Sequence, residues 1–210
     1  MNFYKCSLHR QLMEKVLNAH SGLVAGKVMD AGSKNRRYDH LFKNADNITA
    51  IDLKPYSGFG VIPADIKSLP FADGSFDAVV SFEVLEYITD TKKALSEINR
   101  VLKKGGIFMF SVPFLDPVHG DIDSVRYTFE AWQELLKDGF DIEKEVILGG
   151  RYSLMWDLFF EKVRNNFWTI SRLILIPVLA LSKKIVVSLD EKEKNRRFAM
   201  GYFFICRKKE

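Results

Sequence analysis

Apolar segments that predict β-strands alternate with segments that predict α-helices over the first 150 residues. Strands are predicted at residues 27–30, 47–52, 61–62, 76–81, 106–112, 140–148 and 201–207. Helices are predicted at 7–20, 38–42, 91–102 and 128–137, the third begun by Asp90 and ended by Gly105 and Gly106. This alternation predicts an α/β fold with a parallel sheet covered by helices on both faces.

The domain organisation follows from the absence of a Pro-, Gly- or Ser-rich linker, which predicts a single domain over 1–210. Its parts are an N-terminal helix (1–22), a core (23–150), a helical insertion (151–197) and the final strand (198–210). In the first helix, the spacing of Leu8, Leu12, Val16 and Ala19 predicts the buried face.

Composition narrows the class of protein. Hydrophobic residues make up 47% of the chain, which excludes a disordered protein, and the glycines and prolines follow no period, which excludes repeat architectures. Cys6 and Cys206 lack the spacing of a disulfide framework or a metal site. This spacing predicts no metal site. The N-terminus lacks the apolar segment of a signal peptide, so the sequence predicts a cytoplasmic protein.

Acidic residues follow three neighbouring strands of the predicted sheet. Asp30 and Asp52 end the first two strands, 22 residues apart, and Asp65 follows the third. In open α/β sheets, a carboxylate about 20 residues after the first turn accepts hydrogen bonds from ribose hydroxyls. Gly32 allows the close backbone approach that a cofactor needs. A nicotinamide-dependent oxidoreductase is disfavoured, because its turn requires more glycines than Gly32 alone.

Residues 27–148 carry a continuous series of motifs, in order: Val28–Ser33, Ile48–Asp52, Ala64–Ile66 with Leu69–Phe71, Gly74–Ser81, Glu83–Ile88 and Ile98–Gly106. Together they resemble the class I S-adenosylmethionine-dependent methyltransferases of the type-11 kind. The resemblance implies a Rossmann-like sheet of seven strands whose last strand is antiparallel. It also implies S-adenosylmethionine as the cofactor and transfer of its methyl group to an acceptor.

The resemblance further implies cofactor contacts at the carboxyl ends of the strands, from Asp30, Ala31, Gly32, Ser33, Lys34, Asp52, Leu53, Asp65, Ile66, Ser81, Phe82 and Glu83. Asp52 would hold the ribose and Asp65 the adenine amino group. Lys34 stands where the family has a second glycine, so it either reaches the cofactor carboxylate or obstructs the loop. With Tyr87 in place of a common histidine, a catalytically silent binding or scaffold protein remains the alternative.

A second patch, Ser111 to Thr128, resembles a Pro…His-Gly…Arg-aromatic-Thr pattern in methyltransferases of surface-polysaccharide and glycan biosynthesis. It implies a small-molecule or glycan acceptor, methylated on a hydroxyl oxygen. His119 has a pKa suited to a general base, and Asp121 would either orient it or bind sugar hydroxyls. Arg126 and Tyr127 would bind the acceptor. The alternative is that His119 and Arg126 brace the loop against the helix that Thr128 caps.

The C-terminal part is basic, with 13 Lys/Arg against 6 Asp/Glu over 151–210. An apolar stretch at 173–181 is too short to span a bilayer, but its aromatic and cationic flanks are typical of an interfacial helix. Peripheral contact of residues 167–189 with the inner face of the membrane is therefore one interpretation, and a lid or a homodimer surface is the other. Acidic residues interrupt the basic run 192–197, so no nucleic-acid partner is predicted.

Overall fold

A seven-stranded sheet is formed by the residues that the computed structural model describes, which are 7–117, 123–166, 169–193 and 196–210. The strands are β1 (Ala25–Ala31), β2 (Asn44–Asp52), β3 (Ile62–Pro63), β4 (Phe76–Phe82), β5 (Leu102–Pro113), β6 (Phe140–Leu148) and β7 (Gly201–Lys208). The helices are α1 (Leu8–His20), α2 (Thr91–Val101), α3 (Phe129–Leu136), α4 (Arg151–Asn166) and α5 (Thr169–Glu193).

The strand order is β3-β2-β1-β4-β5-β7-β6. Strand β7 is antiparallel to both of its neighbours, whereas the pairs among β1 to β5 are parallel. This confirms the predicted α/β sheet with a reversed last strand. From β1 the chain continues to β2 on one side, and from β4 it continues to β5 on the other side. The carboxyl ends of β1 and β4 therefore border a topological switch point.

Alternating side chains of the strands pack against helices on both faces of the sheet. On one face, Phe108 and Phe110 of β5 join a core cluster with Ile98 of α2 and Trp132 of α3. On the other face, the neighbouring residue Met109 joins a second cluster with α1. The helices thus cover the strands and leave the strand ends as the edge where a ligand site can form.

Two caps predicted from the sequence are present. The Asp90 Oδ1 accepts a hydrogen bond from the Lys93 N–H at the start of α2, and the Thr128 Oγ1 accepts one from the Ala131 N–H at the start of α3. The predicted helical end at Gly105 and Gly106 is wrong, because α2 ends at Val101 and both glycines lie in β5. A Cβ at Gly106 would lie 2.8 Å from the Lys103 carbonyl oxygen, so the glycine allows a close backbone approach.

The predicted buried face of α1 is partly correct. Leu8 is buried, and Leu12 and Val16 are half-buried against the core. The most buried positions also include Met13 and Leu17, which pack against the sheet, whereas Ala19 is exposed. Helix α5 lies beside α1, where the Lys183 Nζ donates to the Gln11 Oε1. The segment predicted as helical at 38–42 contains a short 3₁₀ turn at Asp39–Leu41.

The region predicted as a helical insertion contains α4 and α5, which pack against each other. The Asp190 carboxylate of α5 accepts hydrogen bonds from the Tyr152 and Ser153 N–H groups at the start of α4, at 3.0 and 2.8 Å. The Asp157 Oδ1 of α4 accepts from the Leu8 N–H, 3.1 Å away, and so caps α1. Among the helices that the structure describes, none is long and apolar enough to cross a bilayer.

Candidate active site

The loops after β1 and β4 meet at the switch point. Gly32 has a φ of +85°, and a Cβ on it would lie 2.2 Å from the Val84 Cγ2. No side chain fits there, since real Cβ atoms do not approach other heavy atoms so closely. Gly32 therefore lets the two loops come together at the crevice where α/β sheets bind ligands.

A set of hydrogen bonds fixes the loop after β1 to the end of β2. The Gly32 and Ser33 N–H groups donate to the Ile51 carbonyl oxygen at 2.8 and 3.0 Å. The Asp52 carboxylate accepts from the Lys34 N–H at 3.1 Å and from the Lys54 N–H at 2.8 Å, one on each oxygen. Each oxygen of Asp52 retains capacity for a further hydrogen bond.

Lys34 occupies the left-handed backbone conformation that the family's second glycine would favour. Its φ is +49° and its side chain is exposed. The lysine therefore preserves the loop conformation at some backbone strain. Of the two sequence interpretations, the structure does not support an obstructed loop.

Asp30 is buried at the end of β1, with 4% of its surface exposed. The pKa of this carboxyl group is raised to about 7, and burial is the largest cause. The Ser33 hydrogen bond lowers the pKa, whereas the Asp39 and Asp52 carboxylates raise it further. The Asp52 carboxylate is therefore close enough to Asp30 to affect the ionisation of Asp30. A cationic ligand group beside Asp30 would stabilise its charged form.

The chain around β3 combines one carboxylate with an exposed apolar surface. The Asp65 Oδ1 accepts from the Lys67 N–H at 2.9 Å, and its side chain is 38% exposed. Large apolar side chains are exposed beside it: Leu53, Tyr56, Phe59 and Ile62. Sequence reasoning assigned only Leu53 among these four to the cofactor site, although the apolar residues within the Gly-containing stretch 53–62 were an available signal. Ile66, by contrast, is buried in the core.

Ser81 and Phe82 are buried at the end of β4. The Ser81 Oγ donates to the Ala31 carbonyl oxygen at 3.0 Å, and the Phe82 ring stacks on Phe203. These side chains support the crevice from within the core, and their contact with a cofactor remains a prediction.

Glu83 follows β4 with a left-handed φ of +56°. Its Oε2 lies 2.9 Å from the His9 Nε2 of α1, and its Oε1 accepts from the Ser111 Oγ at 2.6 Å. Burial would raise the pKa of Glu83, but the His9 charge and these hydrogen bonds leave it lowered. For His9, burial lowers the pKa, and the Glu83 carboxylate outweighs that effect and raises it. Sequence reasoning missed His9, because its partner is 74 residues away.

Glu86 lies in the next turn and is 3% exposed. Burial, and then the Glu83 carboxylate, raise the pKa of Glu86 to about 9, so it is protonated at neutral pH. Its Oε2 has no hydrogen-bond partner within the described part of the chain. The backbone carbonyl oxygen of Glu86 accepts hydrogen bonds from the Ser124 and Val125 N–H groups.

The residues predicted to bind the acceptor are only partly described. Arg126 forms an ion pair with Asp123, and the Tyr127 hydroxyl accepts from the Thr91 Oγ1 at 3.3 Å. These contacts favour a bracing role for both side chains. His119 and Asp121 lie outside the described residues. No cluster of His, Cys, Asp or Glu suited to a metal is present within the described ranges.

Known proteins that are similar to this chain in sequence include methyltransferases. A family model described as a methyltransferase domain matches residues 29–110. A malonyl-[acyl-carrier protein] O-methyltransferase of Erwinia billingiae is 33% identical over 103 residues, covering 44% of this chain and 41% of that protein. The ubiquinone/menaquinone biosynthesis C-methyltransferase UbiE of Haemophilus ducreyi is 41% identical over 81 residues, covering 37% and 29%. Residues 29–110 therefore match a methyltransferase domain, and the sheet has the fold of the class I methyltransferases.

The cofactor of this methyltransferase class is S-adenosylmethionine. Among solved structures, the [4+2]-cyclase SpnF has a TM-score of 0.65 at 22% identity, covering 99% of this chain and 85% of that one. This similarity shows the fold, which a cyclase shares, and so does not by itself decide the reaction. The matches to the two curated methyltransferases span less than half the length of either protein.

Proposed function

We propose that this protein transfers a methyl group from S-adenosylmethionine to a hydroxyl oxygen of a small-molecule or glycan acceptor. The observation that carries the proposal is the arrangement of Asp52, whose two oxygens each accept a single backbone N–H at the carboxyl end of β2. A carboxylate held in this way can accept from two vicinal ribose hydroxyls. The similarity of residues 29–110 to methyltransferase domains supports the same conclusion.

A second carboxylate and an exposed apolar side chain also fit this cofactor. Asp30 supplies a negative charge suited to the methionine ammonium group, and the exposed Leu53 offers an apolar surface suited to adenine. The cofactor, when bound, supplies a methyl group on a positively charged sulfur. The protein's residues would bind and orient it, and the hydrogen bonds between the loop Gly32 to Lys34 and the end of β2 would help to position them.

The acceptor would enter beside the loops after β4 and β5. A hydroxyl group needs to lose its proton during the reaction, and we assign this step to His119, oriented by Asp121. The glycan class of acceptor follows from the motif between Ser111 and Thr128. The relatives' names refer to malonyl-[acyl-carrier protein] and to ubiquinone and menaquinone biosynthesis, so the acceptor assignment rests on that motif alone.

Calorimetry with S-adenosylmethionine and S-adenosylhomocysteine tests the cofactor site. We expect Asp52→Asn to weaken the binding of both ligands by about 1–3 kcal/mol, the range for a hydrogen bond to a charged group. Asp46→Asn is the matched control, since Asp46 is an exposed carboxylate on the same strand. Equal affinities of wild type and Asp52→Asn would reject the ribose assignment, and no binding by wild type would favour the catalytically silent alternative.

A transfer assay with labelled cofactor and a panel of hydroxylated sugars tests the acceptor side. We expect His119→Ala to lower turnover and to leave cofactor affinity unchanged. Wild-type turnover in this variant would assign His119 to the bracing role. Methylation of amine or carbon acceptors in preference to hydroxyl compounds would reject the oxygen assignment.

A further inference from the structure

The helices α4 and α5 expose an apolar surface that no part of the proposed reaction uses. The side chains of this apolar stripe are between 39% and 67% exposed: Met155, Leu158, Phe159, Leu181, Ile185 and Leu189. Along α5 they recur every four residues, so they lie on one side of that helix. Exposed large apolar side chains gathered in this way mark an interaction surface.

The opposite sides of both helices are attached to the rest of the molecule. On α4, Ser153 is buried and Asp157 accepts the hydrogen bond from Leu8 of α1. On α5, Lys183 donates a hydrogen bond to Gln11 of α1. The Glu191 Oε1 of α5 lies 3.7 Å from the Lys15 Nζ of α1. These contacts fix the orientation of the two helices, so the apolar stripe faces away from α1 and is exposed.

The charges around the stripe are unequal. Asp157 and Asp190 are used as helix caps, and Glu191 and Glu193 form ion pairs with Lys15 and Arg151. Two lysines of α5, Lys184 and Lys192, are exposed and have no ion pair within the described part of the chain. Lys192 lies on the same side of the helix as Ile185 and Leu189. The surface therefore presents apolar side chains beside uncompensated positive charge.

We propose that the apolar stripe with Lys184 and Lys192 docks on an anionic lipid bilayer. Helices that lie in a bilayer interface combine an apolar side with flanking lysines, and each lysine near an anionic surface adds attraction. A two-fold dimer through the same surface would bring the unpaired lysines of both copies together, because such an interface is self-complementary. The charge pattern thus favours lipid over a second copy. This inference is independent of the proposed function.

Vesicle flotation of the full chain tests the proposal, with phosphatidylcholine vesicles and vesicles that also contain phosphatidylglycerol. We expect wild type to float only with the anionic vesicles, and salt to reduce the bound fraction. Lys184→Gln and Lys192→Gln should each lower the partition coefficient about fivefold. Their control is the pair Lys43→Gln and Lys92→Gln, which changes exposed lysines outside α4 and α5.

A second variant combines Met155→Ser, Phe159→Ser and Ile185→Ser. Leu23→Ser serves as its control, because Leu23 is 47% exposed and lies outside α4 and α5. We expect the triple variant to lose flotation with unchanged melting temperature and cofactor affinity, since surface substitutions of this kind have small effects on stability. Flotation equal to wild type would overturn the proposal. The proposal would also be overturned if wild type is a dimer that does not bind vesicles and the triple variant is a monomer.

Discussion

The imidazole Nε2 of His9 lies 2.9 Å from the Oε2 of Glu83, and this contact joins helix α1 to the end of β4. His9 is 2% exposed and Glu83 is 15% exposed, so the pair is largely removed from solvent. The Ser111 hydroxyl donates to the other oxygen of Glu83. The N-terminal helix is therefore held against the crevice by a buried, charge-assisted hydrogen bond.

Substitution of His9 tests the importance of this contact for stability. We expect His9→Ala to lower the free energy of unfolding by about 3 kcal/mol, because it leaves a buried carboxylate without its cationic partner. Urea unfolding measures the effect, and His20→Ala on the same helix is the control, since His20 is partly exposed. If both alanine variants unfold at the same urea concentration, the pair has no such role.

The same pair predicts a pH dependence. The raised pKa of His9 means that its contribution is complete below about pH 6.5 and is lost as the pH rises through the folded-state pKa. The lowered pKa of Glu83 means that its contribution is complete above about pH 4.5 and is lost as the pH falls through the folded-state pKa. The stability difference between wild type and His9→Ala should therefore be largest between these values. A difference that is constant with pH would contradict the ion pair.

Local signals explain what could be predicted from the sequence. Asp90 and Thr128 were recognised as caps because the groups that they bind are three residues away. Asp52 was recognised because its place at a strand end follows from hydrophobic patterning. Gly105 and Gly106 misled the prediction, since a glycine that ends a helix and one that permits a close approach of strands look the same in sequence.

Long-range contacts explain what could not be predicted. The spacing of apolar residues in α1 gave no reason to bury His9 against a carboxylate 74 residues away. The caps from Asp157 and Asp190 are also supplied by distant helices, so local pattern does not show them. These contacts decide which side of α4 and α5 remains exposed.

Lys34→Gly tests the backbone strain in the cofactor loop. Glycine adopts the φ of +49° at Lys34 without the steric cost that other residues bear, although it loses more entropy on folding. We expect a thermal melt to show a variant as stable as wild type or up to about 1 kcal/mol more stable. Lys34→Val should be less stable, because a β-branched residue tolerates this conformation poorly. Equal destabilisation by glycine and valine would show that the lysine side chain, not the backbone, matters.

Asp30→Asn separates stability from cofactor binding. Because burial raises the pKa of Asp30 to about 7, wild-type stability should fall as the pH rises from about 4 towards 7. The asparagine variant lacks this titration, so its free energy of unfolding should exceed that of wild type by an amount that grows over this pH range to at most about 4 kcal/mol. Its affinity for S-adenosylmethionine should decrease. Urea unfolding at several pH values measures the first effect, and an advantage independent of pH would contradict it.

The protonation of Glu86 should respond to the charge of the proposed cofactor. The raised pKa of about 9 leaves Glu86 protonated at about pH 8, in a cluster with the Glu83 carboxylate, the Asp123–Arg126 ion pair and the Tyr87 hydroxyl. A positive sulfur bound beside the end of β4 would lower the pKa of Glu86 and release part of its proton. S-adenosylhomocysteine has an uncharged sulfur, so it should release fewer protons.

Calorimetry in two buffers of different ionisation enthalpy measures the number of protons released with each ligand. In wild type we expect a larger release with S-adenosylmethionine than with S-adenosylhomocysteine. In Glu86→Gln the two ligands should release the same number, because the amide does not titrate. A wild-type difference that persists in Glu86→Gln would assign the proton to another group of the cluster, and no difference in wild type would place the sulfur away from Glu86.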